Sequence, residues 1–293
     1  MFTTVFLSFH SEQLIYRAIK KFTKKYPIII IENSLNKKVK SKIEKKHKNI
    51  KVIIPNKNLG ISAGYNLGIK KSKTNLVYLS SPDTIIDSKN LKKLESCVSK
   101  IKDFSIFAPT YYDESIYKNY DINQNNKFKT NNHSLYFKKY KIKQASLVDN
   151  NFIINKKKIN ELGFFDENIF MYYETMDFSN KITLANKKIY VSEKIKFKHL
   201  GSQSTNKKFK KIYDLNRSWH YNWSKFYYFR KNHNYLFALK KISPNFFRAL
   251  KNIILNIYKK DKSYNLYLKE IQGILSSILL QPSKFRPFNK NEL

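Results

Sequence analysis

The sequence predicts an α/β fold: a mixed, mostly parallel sheet flanked by helices, followed by a helical C-terminal extension. Three observations carry this reading. Short β-rich runs alternate with amphipathic segments through the first half of the chain. The run Pro27–Ile31 is continuously apolar, as in a strand buried on both faces. From about Asn206 the strand signals stop and helical spacing continues to Leu280.

Taken in order, Phe2–Phe9 is β-rich, and Ser11–Lys25 predicts a helix with Leu14, Ile15, Ala18, Ile19 and Phe22 on one face. Pro27–Ile31 is the second strand, Asn36–Lys48 a lysine-rich helix and Lys51–Ile54 the third strand. Ser62–Ser72 is helical and Leu76–Leu79 the fourth strand. Ser88–Lys100 is a helix with Ser88 as its cap, and Phe104–Ala108 the fifth strand. Such β-α-β units close into a parallel sheet, and ligands bind beyond the carboxyl ends of its strands. Those ends are Phe9–His10, Glu32–Ser34, Pro55–Gly60 and Ser80–Asp83. Residues 111–145, rich in Asn, Lys and Tyr, break the pattern as an irregular or hairpin-bearing insertion. Ser146–Ile154 is then a strand, Lys156–Leu162 a short helix and Glu174–Ala185 a helix, before short strands at Ile189–Val191 and Ile195–Lys198. The C-terminal helical region is expected to break near Ser243–Pro244 and Lys262–Ser263. The resulting division is a sheet domain over 1–205 and a basic, aromatic-rich helical extension over 206–293.

The chain has 293 residues, 42% apolar and 15% aromatic, which excludes a disordered chain. A single cysteine, Cys97, excludes a disulfide framework and a thiolate zinc cluster. The N-terminus lacks the basic region of a secretory signal, and no stretch approaches ~18 consecutive apolar residues, so no transmembrane helix is expected. Charge is the dominant number: 57 basic against 21 acidic residues, a net +36. Such a balance points to nucleic acid or an anionic membrane. Only Arg17, Arg217, Arg230, Arg248 and Arg286 are arginine, however, and the abundant Lys, Asn, Ile, Tyr and Phe share A/T-rich codons, so genome composition is a competing source. Residues 206–293, with 19 basic and 4 acidic side chains, are the denser part.

Four motifs carry chemistry. Asn58–Gly68 follows a strand and opens a helix, with Gly60, Gly64 and Gly68 four residues apart. A glycine-faced packing helix and a nucleotide-binding loop both fit it; the dinucleotide and P-loop signatures do not. Tyr78–Thr84 ends a strand on Asp83, a carboxylate that can hold a divalent ion or cap a turn. Gly163–Asp177 gathers Asp166, Glu167, Glu174 and Asp177 among aromatics, including Tyr172 and Tyr173, in an otherwise acid-poor chain. It reads either as carboxylates favoured by a helix N-terminus or as a general base beside an aromatic acceptor pocket. His199 ends a strand ahead of a polar glycine loop, where a histidine can serve as a metal or phosphate ligand.

In this order the four motifs, spread over about residues 2–205, resemble family 2 glycosyltransferases of the GT-A fold, a single nucleotide-binding, Rossmann-like sheet, and within them the bacterial rhamnosyltransferase-like branch. The resemblance implies a donor site of Glu32, Asn58, Gly60, Asn66 and Asp83. It implies a divalent cation, Mg2+ or Mn2+, on Asp83 and His199. Glu174 would be the base, with Asp177 beside it, and Asp166, Tyr172 and Tyr173 would meet the acceptor. It further implies an inverting, metal-dependent transfer of a hexosyl or deoxyhexosyl group from a nucleoside-diphosphate sugar to a hydroxyl of a glycan or polyprenyl-linked acceptor, in surface polysaccharide synthesis of the cell envelope. The chain departs from the family's pattern at Asn150 and Asn151, where the family often has a Gly beside the acceptor, which implies a different acceptor choice or weak activity, and at two further positions. Ser81 stands where the first acid of the Asp-x-Asp motif falls, and Thr175 where an Asp follows the Glu. These departures favour an alternative, a degenerate transferase kept as a scaffold.

A nucleic-acid binder is the reading from another class, since aromatics and cations interleave over Trp219–Arg230 and can stack bases. No RNP, KH, zinc-finger or helix-turn-helix signature supports it. The C-terminal extension instead suggests a peripheral contact with the cytoplasmic face of an anionic membrane. Phe246, Phe247, Leu250, Ile253, Ile254 and Ile257 fall at helical spacing among Arg248, Lys251 and Lys259, the pattern of an interfacial helix.

Overall fold

The computed structural model describes residues 1–22, 26–111, 119–122, 135–200, 209–256 and 262–286. The chain divides into two compact units, Met1–Phe165 with Phe178–Ser204, and Asp166–Asp177 with Thr205–Leu293. The linear division at 205 thus differs from the compact units in one respect: the acidic-aromatic stretch groups with the C-terminal helices.

The first unit is the expected α/β layer structure. Strands β1 (Thr3–Ser8), β2 (Ile28–Glu32), β3 (Ile50–Ile53) and β4 (Leu76–Ser80) are linked by helices α1 (Glu12–Ile19), α2 (Lys37–Lys46) and α3 (Ser62–Lys71). The short β5 (Thr84–Ile85) precedes helix α4 (Ser88–Lys100) and strand β6 (Ile106–Tyr111). Asp87, one residue before the expected cap, caps α4 by accepting from Asn90 N at 2.7 Å. Of the 111–145 insertion, the described residues form β7 (Tyr120–Asp121), the short helix α5 (Leu135–Lys139) and β8 (Ile142–Ala145). β9 (Leu147–Val148), β10 (Phe152–Asn155) and α6 (Lys156–Ile159) follow, then α7 (Glu174–Leu184) and β11 (Ile189–His199).

The main sheet runs β3-β2-β1-β4-β10-β6-β11-β5, with β8 on β11. β1 to β4 are parallel, and so are β6 and β11, whereas β10 lies antiparallel between β4 and β6. β1 has β2 on one side and β4 on the other, so the chain order reverses there and leaves a crevice at the strands' carboxyl ends. Alternate residues of the strands feed cores on the two faces. Phe6, Ile30 and Tyr78 lie in one, and Val5, Ile31 and Leu79 in the other.

Three expectations are corrected. Ser146–Ile154 is two strands, because Asn150 and Asn151 between them take left-handed backbone (φ 48° and 54°), which no strand tolerates. The two short strands after Ile189 are one strand with a register shift between Ser192 and Lys196. The break expected at Ser243–Pro244 does not occur. In the second unit, α8 (Lys210–Asn232), α9 (Tyr235–Leu255) and α10 (Lys262–Ile278) surround Phe226, Ala238, Ile242 and Ile274, and α9 passes through Pro244. Proline has no N–H for the carbonyl of Lys240, but Ser243 Oγ donates to that carbonyl at 3.0 Å and replaces the lost donor. The α8–α9 junction, which the hydropathy pattern runs through, is set by Asn234, whose side chain accepts from Phe237 N at 2.8 Å.

The glycine spacing of α3 is a packing device. A Cβ on Gly68 would stand 2.3 Å from Val5 Cγ1, in the buried and rotamer-stiff centre of β1. Gly68→Ala is expected to lower unfolding free energy by about 1–3 kcal/mol through overpacking, less the ~1 kcal/mol that alanine gains in a helix. Urea denaturation measures the difference; an unchanged or higher midpoint would show that β1 and α3 part without cost.

Candidate active site

In the first unit the polar groups gather at the carboxyl edge of the sheet. The two residues of β5 pair antiparallel with the end of β11, with His199 opposite Thr84, and Leu200 N donates to Asp83 O at 3.1 Å. This pairing brings Asp83 and His199 together: His199 Nε2 lies 3.3 Å from Asp83 Oδ1. Ser81 Oγ donates to the same oxygen at 2.6 Å. Burial alone pushes the Asp83 carboxyl up, but His199 and Ser81 outweigh it and hold it below the usual carboxylate range. Tyr111 stacks on the His199 ring at 5.2 Å and fixes its plane.

Beneath this pair lies Asn151, which the sequence marks as a departure from the family's glycine but whose bonding it does not show. Asn151 is buried, accepts from Ser80 Oγ at 2.8 Å, and donates to Thr84 Oγ1 at 2.8 Å and to Tyr111 Oη at 3.1 Å. It ties β4, β5 and β6 together under the Asp83 loop. Asparagine tolerates the left-handed backbone needed there.

At the end of β2, Glu32 is fully buried, and Ser34 donates to Oε1 from both its backbone N, at 2.9 Å, and its hydroxyl. Its Oε2 has no hydrogen-bond partner among the described residues. Burial raises its pKa above the ordinary value, the Ser34 and Ser8 hydroxyls opposing. Next to it, Asn33 donates to Gly60 O at 3.0 Å and accepts from Leu59 N at 3.3 Å, while Gly60 N donates to Asn58 Oδ1 at 3.0 Å. Glu32, Asn58 and Gly60 thus share one corner, with Gly60 at φ 71°. Asn66 serves a structural purpose: its amide donates to Phe165 O at 2.9 Å and accepts from Phe165 N at 3.0 Å, anchoring a ring stacked in the core.

The second unit holds the other expected site residues. Tyr172 and Tyr173 both have φ 66°, a conformation that costs a non-glycine residue roughly 1–3 kcal/mol. Glu174 follows directly as the first residue of α7 and is buried. Tyr172 Oη accepts from Arg217 Nε at 2.6 Å, and the Tyr173 ring lies among Tyr221, Tyr228 and Phe229. Asp177 is buried with Oδ2 on Lys231 Nζ at 2.8 Å and Oδ1 on Asn232 Nδ2 at 3.1 Å. Lys231 also meets Asp166 Oδ2 at 2.8 Å, where Tyr227 Oη donates at 2.9 Å. Both oxygens of Asp177 are therefore engaged. Lys231 and Arg217 escaped the sequence reading because helical spacing within α8 says nothing of what its polar face meets.

A cation would find one carboxylate and one imidazole at Asp83 and His199, a donor set suited to a divalent metal completed by phosphate oxygens. Among the described residues no three His, Cys, Asp or Glu side chains converge.

The profile of glycosyl transferase family 2 matches residues 4–163. Among solved structures the fold is similar to GalNAc-T7 with UDP, GalNAc and Mn2+, at TM-score 0.54 and 18% identity over 84% of this chain and 57% of that one. It is also similar to the mannosyltransferase PcManGT from Pyrobaculum calidifontis in complex with GDP-Man and Mn2+, at TM-score 0.55 and 9% identity over 94% of this chain and 86% of that one. At these identities the likeness is one of fold, and this chain spans little more than half of the GalNAc-T7 structure. No curated protein sequence matches the chain.

The Asp166 carboxyl has an acid signature. Burial raises its pKa, but Lys231, the Asn168 N–H and Tyr227 outweigh burial and hold it below the usual range. A depressed carboxylate stabilises the fold above its unfolded pKa of about 3.9 and loses that contribution as pH falls through the folded value. Asp166→Asn should therefore destabilise the chain at neutral pH, with the deficit shrinking below about pH 4. Chemical denaturation of both proteins from pH 7 to 3 reads this directly, and a deficit constant across that range would contradict it.

Proposed function

The chain belongs to glycosyl transferase family 2, and from that premise we propose that it is an inverting glycosyltransferase using a nucleoside-diphosphate sugar. The acceptor is a hydroxyl of a glycan or polyprenyl-linked sugar in surface polysaccharide synthesis, and the group moved is a hexosyl or deoxyhexosyl unit. The observation that carries the reading is the pair of buried Asp83 and half-buried His199 at the carboxyl edge of a family 2 sheet. The Mn2+ named with both similar structures adds support. The catalytic domain in this reading is 1–205.

The chemistry assigns each residue a step. Glu32, Asn58 and Gly60 face the nucleoside, and Asp83 with His199 would hold Mg2+ or Mn2+, whose positive charge would offset that developing on the diphosphate leaving group. Glu174 takes the proton of the acceptor hydroxyl as its oxygen bonds the anomeric carbon from the face opposite the diphosphate. The carbon–oxygen bond to phosphate breaks, its electron pair leaving with the nucleoside diphosphate. Asp166, Tyr172 and Tyr173 line the acceptor side.

Ser81 and Thr175 favour a second reading, a transferase fold that has lost turnover and serves as a scaffold. Release of nucleoside diphosphate from a panel of UDP-, GDP- and dTDP-sugars with Mn2+ or Mg2+ separates the two. Turnover that needs the cation, and that Asp83→Asn abolishes, is the expected result; no turnover with any donor, cation and polyprenyl-glycan acceptor supports the scaffold. General-base help is worth about 10²–10⁴-fold, so Glu174→Gln should cut turnover by that order with donor binding kept. Full turnover in Glu174→Gln removes it as the base.

The reading includes a peripheral site on the cytoplasmic face of an anionic membrane. None of the described helices is long and apolar enough to cross one. In support, α9 and α10 expose Leu236, Phe247, Leu250, Ile254, Leu275 and Leu279, with Lys240, Lys251 and Arg248 on α9. Phe246 packs inward, so the exposed stripe is narrower than the sequence suggested, and Ile257 and Lys259 lie outside the described residues. Vesicles containing anionic lipid should carry the protein upward in flotation and release it as salt rises, since each lysine contributes about 1 kcal/mol near the surface. Protein left at the bottom at low salt refutes the membrane contact.

A further inference from the structure

One face of α8 meets the acidic-aromatic stretch at both its ends and at 170–173 between them. Asn216 Nδ2 lies 3.3 Å from Met171 Sδ, and Arg217 donates to Tyr172 Oη. His220 stacks on Phe170 at 4.6 Å, and Tyr221 meets both Tyr172 and Tyr173. Ser224 Oγ donates to Met171 O at 2.9 Å, and Tyr227 and Tyr228 take Asp166 and Tyr173. Lys231 closes the row on Asp166 and Asp177. Positions 217, 221, 224, 228 and 231 recur every three or four residues, so they form one stripe. The stretch they hold contains two consecutive tyrosines in left-handed backbone, which persists only where its surroundings over-determine it.

We propose that this α8 stripe is a splint that fixes the Tyr172–Tyr173 turn and so sets Glu174, with Arg217 and Lys231 as positioning residues. The proposal rests on the reading of Glu174 as the base. Its logic is electrostatic at one end and geometric at the other. Lys231 is a point charge that meets the half-buried Asp166 and the buried Asp177 at once; without it, both carboxylates lose their shared cation. Arg217 pins the phenol of the first strained tyrosine. Asp177, on this view, acts through charge pairing and takes no proton from substrate.

The test compares Lys231→Met, Lys231→Arg, Lys231→Met with Asp177→Asn, and Glu174→Gln in the full chain. Turnover is read on whichever nucleotide sugar of the panel is accepted, alongside hydrogen exchange of the amides. Misplacing a catalytic group by about 1 Å costs on the order of 10²-fold. Lys231→Met should therefore lose that order in kcat with KM for the donor unchanged, and Lys231→Arg should recover part of it. Adding Asp177→Asn should also recover turnover, because it removes the more buried of the two carboxylates that lose their cation. Amides of 168–177 should exchange faster in Lys231→Met, while those of α9 and α10 keep wild-type protection. Wild-type kcat and exchange in Lys231→Met overturn the splint. Failure of Asp177→Asn to rescue, with exchange restored, makes Asp177 a chemical group and overturns its assignment. Full turnover in Glu174→Gln sinks the base reading alone; the exchange measurement, which needs no turnover, still decides the splint.

Discussion

Two residues of antiparallel pairing, β5 against the end of β11, govern the polar edge of the first unit. Asp83 and His199 come from distant parts of the chain and meet because Thr84 stands opposite His199. So short a ladder cannot hold itself. Asn151 supplies what it lacks, bonding Ser80, Thr84 and Tyr111 from beneath. The left-handed backbone at Asn150 and Asn151 that splits the expected strand is therefore the same feature that aims the side chain into this hub. The break in local regularity and the organisation of the site have one cause.

Acidic residues are scarce in this chain, and burial makes them informative. With 57 basic residues against 21 acidic ones, a carboxylate has cationic partners available almost anywhere on the surface. Removing one from water costs several kcal/mol unless it is bonded. Among the described residues Glu32, Asp83, Glu174 and Asp177 are the buried acids; the last three stand in the motifs that the sequence singles out, and Glu32 ends the second strand. That convergence is why the candidate site was legible: acids at strand and helix ends are visible in the order of residues. Their bonding was not legible. Nothing in the residue order shows that Lys231 and Asn232 bond the two oxygens of Asp177.

The fold was legible to the same depth. Apolar runs and helical spacing located β1 to β4 and the helices between them, because a parallel sheet buried on both faces writes itself as continuous hydrophobicity. The antiparallel insertion of β10 between β4 and β6 was not readable, since pairing partners and direction leave no local period. The proline in α9 misled for a different reason. A hydroxyl one residue earlier supplies the donor that proline lacks, and propensity rules treat the two residues separately. The face of α8 that holds 166–177 is polar and aromatic rather than apolar, so it read as a surface for stacking bases.

The arginines separate composition from function in the basic charge. Lysine abundance follows from codon usage as readily as from any partner, but arginine is rare here, and its planar fork is not replaced by lysine where it stacks or pairs. Four of the five arginines belong to the second unit. Arg217 bonds Tyr172, Arg230 lies over Tyr227, Arg248 pairs with Glu270, and Arg286 sits 3.6 Å from the Phe170 ring centre. Each meets an aromatic or a carboxylate within the unit, and two of them meet the 166–177 stretch itself. Drift toward A/T-rich codons is a competing source for the lysines and leaves these four arginines unexplained. The second unit is thus a built structure around the acidic-aromatic stretch, and its charge alone is no argument for an anionic partner. The argument for a lipid surface lies in the apolar side chains that α9 and α10 leave in water.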